Sequence, residues 1–170
     1  ITSLALCQLL VASCIESRHF TLEEYAKNHP GGSIGKRIFL KVDDLMTKGE
    51  QLPVISPKES FQKVISRLTH FSKGALIVQE NDQFLGLITE KDLRTGMEQF
   101  NVKVFEKTAQ DIMNPKPITL SSGMLAADVF AFMTQKKPHL NVLPIVNKNG
   151  KAEGLIHIQD LISVGFSLDF

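Results

Sequence analysis

A chain of 170 residues accommodates one or two domains, and a hydrophobic content of 43% is ample for packed cores. Nineteen basic and 18 acidic residues leave a net charge of +1, which removes the electrostatic case for a nucleic-acid partner. The apolar run Leu4–Ile15 falls short of the ~20 residues that a membrane-spanning helix needs. It also lacks a basic leader and a signal-peptide cleavage pattern. The chain opens at Ile1 straight into a helical pattern, and so reads as a fragment whose N-terminal portion is missing.

Residues 3–16 are apolar on nearly all sides, which predicts a first helix buried against something, with much of its cover expected to lie outside this sequence. Cys7 and Cys14 lie on it seven positions apart, so their Cα atoms are ~10 Å apart, beyond disulfide reach. Two buried thiols without a local catalytic base fit core packing and a reducing cytoplasm. Phe20–Tyr25 opens a second helix, with Thr21 and Glu24 as a capping box and Phe20 and Tyr25 as a hydrophobic staple. Pro30 ends it near His29. The glycines of the following loop, His29–Arg37, do not match P-loop spacing, and no strand precedes them.

From about Val42 the chain repeats itself. Asp44-Leu45-Met46 recurs as Asp111-Ile112-Met113, and Gly86-Leu87-Ile88-Thr89-Glu90-Lys91-Asp92-Leu93 recurs as Gly154-Leu155-Ile156-His157-Ile158-Gln159-Asp160-Leu161. Ser56-Pro57-Lys58-Glu59 reads as a capping box with Pro at the first helical position. The stripe Phe61, Val64, Ile65, Leu68 returns as Ala126, Val129, Phe130, Met133, one helical face in each copy. Hairpins follow, Ala75–Val78 with Phe84–Ile88 and Leu143–Val146 with Glu153–Ile156, and helices start at Glu90 and Ile158. Short leading strands are expected at Leu52–Ile55 and Pro117–Leu120. One such unit has a marginal core, so two stacked copies in a pseudo-twofold pair are the expected α/β (α+β) architecture.

The doubled pattern of Asp-Leu-Met, capped helix, apolar hairpin and Gly-Leu-Ile-Thr-x-x-Asp-Leu resembles a tandem pair of CBS domains over roughly residues 41–166. Upstream, Tyr25–Arg37 with its His29-Pro30-Gly31-Gly32, running into Val42–Met46, resembles the junction between the sugar isomerase (SIS) domain and the CBS pair of D-arabinose-5-phosphate isomerases. The resemblance implies a remnant of a truncated SIS domain at 1–40, a first CBS domain at 41–104 and a second at 105–170. It further implies an aldose–ketose isomerase acting on ribulose 5-phosphate and arabinose 5-phosphate, for lipopolysaccharide or capsule synthesis. Such a protein is expected in the cytoplasm, as a homo-oligomer, with a sugar phosphate as substrate.

Isomerisation through an enediol needs a base and donors for the phosphate, but no cofactor. The resemblance carries an active-site role to His29, whose imidazole titrates near neutrality; on residue pattern alone His29 merely ends a helix. The family's other active-site residues have no counterpart in this sequence, so the fragment is expected to be inactive by itself. The resemblance likewise makes Thr89 a phosphate contact and Asp92 a ribose contact for an adenine nucleotide or sugar-nucleotide effector. The same residues read equally as a helix N-cap with an acid at N3. In the second copy His157 replaces the hydroxyl residue beside Asp160, so the two sites should differ and at most one should be a good nucleotide site. His139, Lys36, Arg37 and Lys41 read as solvated, Met46 and Met113 as cleft wall, and no cluster has metal-site spacing. A nucleotide-sensing or purely structural CBS module attached to a different SIS-type domain is the alternative reading.

Overall fold

The computed structural model describes residues 2–19, 21, 24 and 39–167. The chain divides into two compact units, residues 1–40 and 41–170.

In the first unit, helix α1 spans Thr2–Ser17. The expectation that it is buried is not met: Leu4 is 67% and Leu9 69% exposed, and both Cys7 and Cys14 are exposed. Helical periodicity says where apolar side chains fall around an axis, not what covers them. The Thr21–Glu24 capping box is present, with Glu24 N–H donating to Thr21 Oγ1 at 3.2 Å and Thr21 N–H to Glu24 Oε2 at 3.3 Å. The rest of the second expected helix, and the loop carrying His29, Lys36 and Arg37, lie outside the described residues.

In the second unit, the first copy runs β1 (Val54–Ile55), α2 (Phe61–Phe71), β2 (Ala75–Glu80), β3 (Gln83–Thr89) and α3 (Glu90–Phe100). Strand order is β1-β2-β3, with β1 parallel and β3 antiparallel to β2. The second copy runs α4 (Ala109–Ile112), α5 (Ala126–Gln135), β4 (Val142–Val146), β5 (Ala152–His157) and α6 (Ile158–Ser163), with β4 antiparallel to β5. Asn81 and Asp82 turn the first hairpin with φ of 50° and 62°, the left-handed pair that a two-residue hairpin needs.

Two sequence expectations are corrected. The first copy's helix starts at Phe61, not at the Ser56–Glu59 box. That stretch is a single turn, closed by Glu59 N–H to Ser56 O at 3.2 Å, and long-range hydrogen bonds tie down its exit: Ala109 N–H donates to Glu59 O at 2.8 Å and Phe61 N–H to Lys107 O at 3.0 Å. Ser60 becomes the cap, accepting from Lys63 N–H. The expected strand Pro117–Leu120 shrinks to a single parallel bridge from Leu120 to Ile145. Its next rung would need an N–H from residue 144, which is proline. In the first copy that rung exists, as Ile77 N–H to Pro53 O at 2.8 Å.

The apolar stripes bury as their spacing predicts, Phe61, Val64 and Leu68 in one copy and Ala126, Val129, Phe130 and Met133 in the other. Strand β2 is covered on both faces. Leu76 and Val78 pack with Phe61, Val64 and Leu68 beneath helix α2, whereas Ala75 and Ile77 pack with Leu87, Ala152 and Leu155 of both copies. The copies also exchange their leading segments. Thr47 and Leu155 trade two backbone hydrogen bonds at 2.8 and 3.0 Å, and Asn114 and Leu87 do the same at 2.9 and 3.0 Å. This reciprocity is the pseudo-twofold relation in atomic terms.

It also explains why both motifs start with glycine. A Cβ on Gly86 would lie 2.5 Å from Asn114 O and 2.9 Å from Met113 Sδ. A Cβ on Gly154 would collide with the Met46 side chain. The methionine of each Asp-Leu/Ile-Met motif thus packs on the glycine of the other copy, an interlock between two repeated motifs.

Candidate functional site

Each strand–helix junction ends an apolar strand at a polar residue and opens a helix whose first N–H groups lack intrahelical partners. At the first junction Thr89 and Asp92 are half-buried. Asp92 Oδ2 accepts from Thr89 N–H at 2.7 Å and from Thr89 Oγ1–H at 2.6 Å, while Asp92 N–H faces Thr89 Oγ1 at 3.4 Å. Among the described residues, Asp92 Oδ1 has no hydrogen-bond partner or counterion. A ligand hydroxyl would therefore meet a free carboxylate oxygen without dismantling the cap.

At the second junction, Asp160 Oδ2 accepts from His157 N–H at 2.9 Å. Imidazole takes over the cap: His157 Nδ1 accepts from Gln159 N–H at 3.1 Å. That bond requires an unprotonated Nδ1, so in the neutral ring Nε2 carries the proton. Here the other carboxylate oxygen is engaged, since Lys73 Nζ lies 3.9 Å from Asp160 Oδ1. Gly74, next along, sits against the imidazole edge; a Cβ there would be 3.9 Å from His157 Nε2. Lys73 and Gly74 of the first copy thus meet the second copy's motif, a placement that no local signal announces. By strand register the counterpart of Lys73 is Leu140, which has no charge.

The acid of every repeated motif does the same local work. Asp44 and Asp111 also accept the N–H three residues before them, from Lys41 at 3.1 Å and Thr108 at 2.8 Å. At Asp111 the backbone and side-chain bonds from Thr108 hold the carboxyl below the usual aspartate range. His139 is exposed, and Met46 and Met113 are half-buried in the interlock. Among the described residues no group of three or more His, Cys, Asp or Glu is placed to hold a metal ion, and no helix is long and apolar enough to cross a membrane.

Comparison with known proteins places this geometry. The CBS domain pattern matches residues 42–98 and again 109–166. A protein of Haemophilus influenzae named "Probable arabinose 5-phosphate isomerase" is 34% identical over 156 residues, covering 92% of this chain and 45% of its own length. The arabinose 5-phosphate isomerase of Pseudomonas aeruginosa is 30% identical over 164 residues, covering 96% of this chain and 49% of its own length. The chain therefore spans about half the length of the curated relatives it matches. Among solved structures, CBSX2 of Arabidopsis thaliana in complex with AMP superposes with a TM-score of 0.63 at 22% identity, over 74% of this chain and 95% of that one. The cytosolic domain of the magnesium channel MgtE in complex with ATP gives 0.59 at 18% identity, over 76% of this chain and 50% of that one. With two matched copies, reciprocal packing and these relatives, the chain belongs to the CBS domain family, as a tandem pair that corresponds to the CBS-bearing part of arabinose 5-phosphate isomerases.

Proposed function

We propose that this chain is the regulatory portion of a D-arabinose-5-phosphate isomerase. In this reading residues 1–40 are the end of its SIS domain, 41–104 its first CBS domain and 105–170 its second. The observation that carries it is the reach of the similarity. A 164-residue match to the Pseudomonas aeruginosa enzyme is longer than the span 42–166, so it runs into the segment before the repeat. There His29 would line the active site and move a proton between sugar carbons, with a sugar phosphate as substrate. The setting would be cytoplasmic lipopolysaccharide or capsule precursor synthesis, in a homo-oligomer. The test is interconversion of ribulose 5-phosphate and arabinose 5-phosphate by the complete enzyme. The His29→Ala variant is expected to lose a factor of about 10²–10⁴ in kcat, while residues 1–170 alone turn over nothing. Turnover by the isolated chain, or an unaffected variant, contradicts the assignment.

The effector site of this reading is the Thr89–Asp92 junction, taking an adenine nucleotide or sugar nucleotide. The phosphate would meet the α3 N-terminus and Thr89, and the ribose hydroxyls Asp92 Oδ1. The His157–Asp160 junction is the poorer site, since Lys73 already sits at Asp160 and the imidazole is spent on capping. A second reading, a purely structural pair, is favoured by one observation: all four motif aspartates already work as caps. It separates from the first by an unchanged melting temperature in the presence of adenine or sugar nucleotides.

A further inference from the structure

At the turn end of the paired hairpins lies a cavity of about 610 Å³, within the ~300–1,000 Å³ typical of small-molecule sites. It is distinct from both helix junctions. Ala152, which lines it, and His157 occupy opposite ends of β5, about 17 Å apart at ~3.4 Å per residue. Met46, Leu52, Val54 and Ala152 supply an apolar wall. The charges around it balance: Lys151 pairs with Asp82 at 3.0 Å, and Lys48 and Glu153 complete two of each sign.

Gln79 is the residue out of place. Its Nε2 points to Asp82 Oδ1 at 3.5 Å. A carboxylate only accepts, so the amide cannot turn its oxygen that way. Oε1 is left buried, with no hydrogen-bond partner among the described residues. The second copy has no equivalent acceptor. By strand register the counterpart of Gln79 is Val146, just past the same β-bulge, whose side chain carries no polar atom. The orphaned acceptor therefore belongs to the first copy alone and lies on a residue that lines the cavity. The last torsion of a glutamine is broad, so a small rotation presents Oε1 to an occupant. Glu153 adds a second acceptor, because among the described residues only its Oε1 is taken, by Asn147 Nδ2 at 2.8 Å.

We infer that this cavity binds an uncharged, ring-sized molecule that presents an N–H donor to Gln79 Oε1 and lays its apolar body on Met46, Leu52 and Val54. A donor with nearly the same shape as its control is the suitable probe: nicotinamide against methyl nicotinate, which lacks the N–H group. In amide-resolved NMR titrations to on the order of 10 mM, nicotinamide is expected to shift the Gln79 side-chain amide and the backbone signals of Val54 and Glu153. Methyl nicotinate should bind at least about tenfold more weakly. Gln79→Met, which keeps the length and removes the acceptor, should erase that difference; Asp92→Asn and Asp160→Asn should not. Equal binding of the two probes, no binding of either, or shifts confined to Thr89 and His157 would overturn the inference. The wild-type shift map decides the matter even if Gln79→Met fails to fold.

Discussion

Thr89 and Asp92 serve two roles whose energetics separate by substitution. As the cap of α3, Thr89→Ala should cost about 1 kcal/mol in denaturant unfolding, whereas Thr89→Ser should be nearly neutral because the hydroxyl is retained. If the residue also holds a ligand, alanine abolishes nucleotide binding by calorimetry while serine keeps it. Loss of binding in both variants would mean that the methyl, not the hydroxyl, matters. Asp111 supplies a pH test of the shared capping role. Its carboxyl is held below its ordinary value by Thr108, so the folded state binds that proton less readily than the unfolded chain. The stabilisation is present above the unfolded value of ~3.9 and is lost as pH falls through the lowered folded one. Asp111→Asn should therefore flatten the decline of Tm below about pH 4, by an amount worth under ~1 kcal/mol for so exposed a group. An unchanged acid limb contradicts this.

Among the elements, those with strong periodicity were legible beforehand and those shaped by distant partners were not. The stripes of α2 and α5, both hairpins and the starts of α3 and α6 follow from apolar spacing and turn chemistry. The start of α2 does not, because the decision between Ser56 and Ser60 is made by Lys107 and Ala109, some fifty positions away. Nor does the loss of a strand at Pro117–Leu120, which turns on one missing N–H at Pro144. The candidate site was legible as far as Thr89, Asp92, His157 and Asp160; Lys73, Gly74 and Gln79 carry no motif, and only the tertiary fold brings them into play. The methionine–glycine interlock gives a graded expectation. Gly86→Ala meets a backbone carbonyl as well as Met113 and should destabilise by about 1–3 kcal/mol. Gly154→Ala meets only the flexible Met46 side chain, should cost less, and should be relieved by Met46→Ala. Equal costs for the two glycines would show that the Asn114 carbonyl yields.

For the whole molecule, the exchange of leading segments makes each copy's core depend on the other. The pair is thus a single cooperative body with two junctions that are chemically unequal. Among the described residues Asp92 keeps one carboxylate oxygen free, whereas Asp160 has a lysine beside it and a histidine cap in place of threonine. Under the proposed effector reading, that inequality predicts a single effector per pair, bound at the Thr89–Asp92 junction. Isothermal titration of the chain with AMP, in wild type, Asp92→Asn and Asp160→Asn, tests this most directly. The expected result is one site per chain, lost in Asp92→Asn and retained in Asp160→Asn; two equivalent sites, or loss only in Asp160→Asn, would contradict it.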